Sequence, residues 1–117
     1  MTQGLRRLHV GDRLSEVTIF NGTVYLAGQV AADPTQDIRG QTMQVLAAID
    51  KLLDEAGSDR AHILMCQIFI RDLADLAVMN EVWEDWVAPG DAPPRATVQA
   101  ILAKPEWRIE MLVTAAI

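Results

Sequence analysis

HILMCQIFI, residues 62–70, is the stretch on which the fold turns. It is rich in branched and aromatic side chains and is short enough for a strand, with apolar residues at both odd and even positions. Such a strand has both faces at least partly covered. On its amino-terminal side, Ile38, Thr42, Val45, Ile49, Leu52 and Ala56 recur at helical spacing until Gly57 supplies a stop, which predicts an amphipathic helix of about five turns. On its carboxyl-terminal side, LADLAVMNEVWEDWV places Leu73, Leu76, Asn80, Trp83 and Val87 along one side of a second helix, ended by Pro89-Gly90.

Farther out, Val17, Ile19, Val24 and Leu26 flank Asn21-Gly22. Asn-Gly between β-rich runs is a strong hairpin signal because both residues tolerate positive φ, and it predicts strands near 15–20 and 23–30. Prolines 93 and 94 lead into a strand over 95–103, and a turn at Lys104-Pro105-Glu106 leads to a closing strand over 107–117. The expected order is β-β-α-β-α-β-β, an α+β domain spanning 1–117, with a hairpin at each end and both helices on one face of a mixed sheet. Strands 62–70, 95–103 and 107–117 are apolar on both sides, whereas two helices cover only one. The second face therefore calls for another subunit.

A 117-residue chain is about the size of one domain, and a net charge of −6 with a pI near 4.7 argues against nucleic-acid binding, which uses clustered Lys and Arg. No uncharged apolar run approaches the roughly 20 residues of a bilayer span, so no membrane partner is expected. The segment MTQGLRRLHVGDRLSE lacks the apolar core of a secretory signal, and the single cysteine, Cys66, has no internal disulfide partner. A cytoplasmic location is the expectation. His9 and His62 have no ligand spacing for a metal, and no phosphate-binding or nucleophile-elbow motif is present. Cys66 reads as a small core residue.

Against this acidic background, GDAPPRATVQA (90–100) sets Arg95 at the mouth of a strand. Alternation sends Arg95, Thr97, Gln99 and Ile101 to one side, a polar row suited to a wet groove. A guanidinium fork matches a carboxylate bidentately, so its partner is either a small carboxylic acid or an Asp or Glu of the same chain. If the turn at 103–106 pairs 102 with 107, Glu110 shares the face of Arg95 but lies roughly 13 Å along the strands, leaving room for a small molecule. Asn80 is an amide on an apolar helical stripe, suited to bonding a nearby backbone.

Taken together, "VYLAGQVA", "LDEAGSDRAHILMCQIFIRDLADLAVMNEVWEDWV" and, above all, "APPRATVQAILAKPEWRIEM" resemble the RidA family, also called YjgF, and within it the YoaB-like branch. The resemblance covers nearly the whole chain. It implies a chorismate-mutase-like fold and a homotrimer with clefts between subunits. It further implies 2-iminobutyrate/2-iminopropanoate deaminase activity without a cofactor, releasing 2-keto acids and ammonia. Arg95 matches the family's carboxylate-binding arginine, Glu110 its water-positioning acid and Asn80 the asparagine near the cleft, while Ala27 and Gly28 border the same cleft. Where studied deaminases carry a tyrosine, a serine and a cysteine, this chain has Leu14, Ala27 and Thr97. The alternatives are a non-catalytic 2-keto-acid binder and a protein-interaction module. An RNA-cleaving role, also linked to the family, is disfavoured by the acidic surface.

Overall fold

The computed structural model describes residues 4–117. Six strands form one mixed sheet, and two helices lie across one of its faces: β1 (Arg6–Val10), β2 (Ser15–Phe20), β3 (Thr23–Leu26), α1 (Ile38–Ala56), β4 (Ile63–Ile70), α2 (Leu76–Trp86), β5 (Arg95–Gln99) and β6 (Ile109–Ala116). The expected α+β order is present, with one further strand, β1, ahead of it. RRLHV is exposed at four of its five positions, so β1 has no alternation to betray it.

Local chemistry explains the elements that sequence reading located well. Asn21 and Gly22 adopt φ 52° and 75°, the doubly positive pair of a tight hairpin turn, and β2 and β3 pair antiparallel from Phe20–Thr23 to Val17–Leu26. The Asp37 carboxylate caps α1 by accepting the Gly40 N–H at 2.9 Å, and Gly57 ends it at φ 86°. Val45, Leu46, Ile49 and Leu53 form its buried stripe. In α2 the buried residues are Met79, Val82 and Trp83, whereas Leu73 lies in a 3-10 turn before the helix and is exposed.

The strand order is β1-β2-β3-β6-β4-β5. This corrects the expected closing hairpin. β5 does not pair with β6; it runs parallel to β4 at the sheet edge, with Arg95 opposite Cys66 and Gln99 opposite Ile70. β6 instead enters between β3 and β4, antiparallel to both. The expected strand over 23–30 also stops at Leu26, resuming only as a single bridge between Gln29 and Met111.

Cys66, Ile68 and Ile70 face the helices together with Ile109, Met111, Val113 and Ala115, all buried. The opposite face presents Tyr25, Met65, Val98 and Leu112, between 36% and 50% exposed, with Phe69 among them. Among the described residues nothing covers this second apolar surface, as the two-sided pattern of 62–70 anticipated.

Candidate functional site

Pro94 starts the β5 ladder, its carbonyl accepting the Cys66 N–H at 3.0 Å. Arg95 follows immediately. Paired residues on neighbouring strands share a face, so Arg95, Thr97 and Gln99 fall on the side of Cys66, Ile68 and Ile70, toward α2. Arg95 Nη2 donates to Asn80 Oδ1 at 2.9 Å, and the guanidinium carbon lies 5.3 Å from the centre of the Trp83 ring. Asn80 thus bonds a side chain, not the loop backbone expected of it. Among the described residues Arg95 makes no ion pair, which removes the reading in which it serves a carboxylate of its own chain. Most of its donors remain unspent at an exposed strand edge.

Two neighbours complete this half of the picture. The Thr97 hydroxyl is buried without a hydrogen-bond partner, an expensive state for a polar group. Beneath Arg95, burial pushes the Cys66 thiol up from 9.0 to about 12, with the arginine's charge pulling weakly the other way. Cys66 is therefore an inert core thiol at neutral pH.

Glu110 is elsewhere. On β6 it pairs with Phe69, so its side chain belongs to the open face. The expectation that it shares the face of Arg95 is overturned because β4 stands between β5 and β6. Within one chain the two positions are three residues along and two strands apart, roughly 14 Å by strand spacings, with side chains on opposite faces. Glu110 rests instead against Gly28: a Cβ there would lie 3.0 Å from Glu110 Cδ and would overlap a carboxylate oxygen. A side chain at 28 would therefore push the Glu110 carboxylate from this position. Residues 27–29 are held in place by the Ala27 N–H on the Glu16 carbonyl (2.9 Å), and by Gln29 and Met111 exchanging backbone bonds of 2.8 and 3.1 Å. Leu14, 54% exposed, stands in the β1–β2 loop, tied by its carbonyl to the Gly11 N–H.

The chain thus carries two groupings, Arg95 with Asn80 and Thr97 beside α2, and Glu110 with Gly28 on the open face. It does not bring them together.

The family model described as endoribonuclease L-PSP matches residues 5–117. The chain belongs to that family. Its relatives there carry RutC and YjgF names. A RutC family protein of Haemophilus ducreyi is 47% identical over 113 residues, covering 97% of each chain. The RutC family protein YoaB of Escherichia coli is 40% identical over 95% of this chain and 96% of its own. Among solved structures, a YjgF-family protein from Neisseria meningitidis superposes with a TM-score of 0.95 at 44% identity, covering 99% of this chain and 97% of its own. An uncharacterized protein from Pseudomonas aeruginosa gives 0.94 at 45%, covering 96% and 97%. The RidA/YjgF relationship read from the signature around Arg95 therefore holds over the whole fold.

Proposed function

We propose that the protein is an enamine/imine deaminase that hydrolyses small 2-imino acids, of the 2-iminobutyrate and 2-iminopropanoate type, to 2-keto acids and ammonia. The observation that carries this reading is the state of Arg95: held by one amide and one indole, unpaired with any described carboxylate, it presents a fork of donors matched to an organic carboxylate. Glu110 would receive a proton from water as the water oxygen attacks C2 of the imine. That proton passes to the imine nitrogen, giving a carbinolamine; a second proton then moves from its C2 hydroxyl to the nitrogen, the C–N bond breaks as C=O forms, and ammonia leaves. Because the imine carbon is already electrophilic, orientation by Arg95 supplies much of what is needed. No cofactor enters the scheme.

A substrate gripped by Arg95 does not reach Glu110 of the same chain, so the reaction needs a second copy. The apolar open face and the exposed β5 edge are where copies would join, and a homotrimer with Arg95, Asn80 and Thr97 from one protomer facing Leu14, Ala27, Gly28 and Glu110 from the next satisfies both requirements. Loss of imine generated in situ is the test: no rate above buffer, or an equal rate in Arg95→Ala, ends the catalytic reading.

One feature favours a second reading, a 2-keto-acid binder without turnover. Leu14 and Ala27 give their side of the cleft no hydroxyl to relay a proton. Calorimetry showing Arg95-dependent 2-ketobutyrate binding beside a null deaminase assay would establish it. The family's nuclease description has less support here, since a net charge of −6 repels a phosphate backbone. Among the described residues no helix is long and apolar enough to cross a membrane.

A further inference from the structure

Arg71 and Arg108 stand at the end of β4 away from Arg95, five residues or roughly 16 Å along the strand. Carrying the β4–β6 register one step past Ile70 and Ile109 sets Arg71 directly across from Arg108, and the Arg71 N–H donates to the Arg108 carbonyl at 3.0 Å. Like charges in cross-strand positions destabilise a sheet unless something negative answers them. Asp75 answers only Arg108, at 3.4 Å, longer than a strong charge-assisted bond. One oxygen of the Asp72 carboxylate accepts the Ala74 N–H at 2.9 Å, and among the described residues Asp72 makes no ion pair. Arg71 makes no ion pair among the described residues.

Both arginines line a cavity of about 470 Å³, a volume suited to a small molecule, whose other walls come from Thr35 and Gln36 ahead of α1 and from Glu106. Its frame is fixed by Gln41, which is fully buried. The Gln41 amide nitrogen donates to the carbonyls of Pro34 (3.0 Å), Gln36 (3.1 Å) and Glu106 (3.0 Å), and its oxygen accepts the Arg108 N–H at 2.9 Å. A buried amide is costly unless bonded. Every bond this one makes goes to a residue of the cavity wall, locking segments distant in sequence at a set spacing.

The Glu106 carboxylate has no described hydrogen-bond or ion-pair partner, and it does not pair with Arg71. Beside the Arg108–Asp75 pair, one unpaired cation, Arg71, and two unpaired anions, Asp72 and Glu106, therefore share the wall. A simple anion is disfavoured, because Asp72, Asp75 and Glu106 outnumber the two guanidiniums. A ligand carrying both charges meets both needs. We propose that this cavity binds a free α-amino acid, with its carboxylate between Arg71 and Arg108 and its ammonium on Glu106. The site is separate from the one around Arg95 and stands whether or not the chain hydrolyses imines.

The experiment is calorimetric titration in an Arg95→Ala background, which silences carboxylate binding at the other site. The probes are the twenty common L-amino acids singly, 2-ketobutyrate, which lacks the ammonium, and inorganic phosphate. Saturable binding is expected for at least one amino acid and for neither control. Arg71→Met and Glu106→Gln, both at exposed positions, should each weaken it about tenfold or more, as expected for losing a charge-assisted contact. In the otherwise native protein, Arg71→Met should leave imine hydrolysis unchanged. The proposal fails if no amino acid saturates below about 10 mM, if Arg71→Met binds as tightly as its parent, or if phosphate binds as well with the same Arg71 dependence.

Discussion

The two faces of the sheet are built from the same kinds of residue and live under different conditions. Toward the helices, Ile68, Ile70, Ile109 and Met111 are wholly buried against α1 and α2. On the other side, Tyr25, Met65, Val98 and Leu112 remain half-exposed in the single chain. Arg95 belongs to the first face, at its edge, and Glu110 to the second. Apolar burial within the chain positions Arg95, the proposed carboxylate-binding group, whereas Glu110 sits on a surface whose apolar neighbours no described residue covers. Stability and site assembly are thus separable here, and each can be attacked alone.

The largest effect should come from truncating the covered face. Leu53→Ala removes a fully buried side chain from α1 and is expected to cost about 2–5 kcal/mol in denaturant unfolding. Leu112→Ala on the open face should cost about 1–2 kcal/mol in the isolated protomer, since Leu112 is 36% exposed. Its expected readout is weaker association in sedimentation. An equal loss of folding stability from both would erase the distinction between the faces.

Mixing variants probes the divided site. Arg95→Ala and Glu110→Gln should each lower imine hydrolysis by about two orders of magnitude, the scale of losing a positioned charge or general base. Co-refolded in equal amounts, the two should recover a substantial fraction of parental activity, because some interfaces then pair an intact Arg95 with an intact Glu110. No recovery would mean that both groups act from one chain.

The smallest effect concerns Cys66. With its thiol raised from 9.0 to about 12 by burial, the folded state favours the protonated form. Its contribution to stability is then fully present below pH 9 and lost as pH rises toward 12. Alkylation by iodoacetamide at pH 8 should be far slower in the folded protein than in urea, and Cys66→Ala should flatten the alkaline limb of the stability curve.

How much of this was legible beforehand depends on the range of the interaction. Asn21-Gly22, the Gly57 stop and the periodicity of 38–56 act within a few residues, and the structure reproduces them. The two-sided character of 62–70 also exposed the missing cover. The Arg95–Asn80 contact was approached from each residue's oddity and from the resemblance, which set both near one cleft. What failed was strand pairing: Lys104-Pro105-Glu106 reads as a hairpin turn, yet the chain crosses β4 there, a choice made by distant partners such as Tyr25 and Cys66. That one error moved Glu110 to the wrong face. β1 was missed because its residues are exposed on both sides. The cavity between Arg71 and Glu106 left no sequence signal apart from Gln41, a polar residue amid the apolar positions of α1.

On the proposed reading, Arg95 and Glu110, which project from opposite faces, give each polypeptide two unlike ends of one catalyst. Rate per chain would then fall on dilution, the kinetic order in protein would exceed one, and cellular dosage would tune turnover without any dedicated regulator.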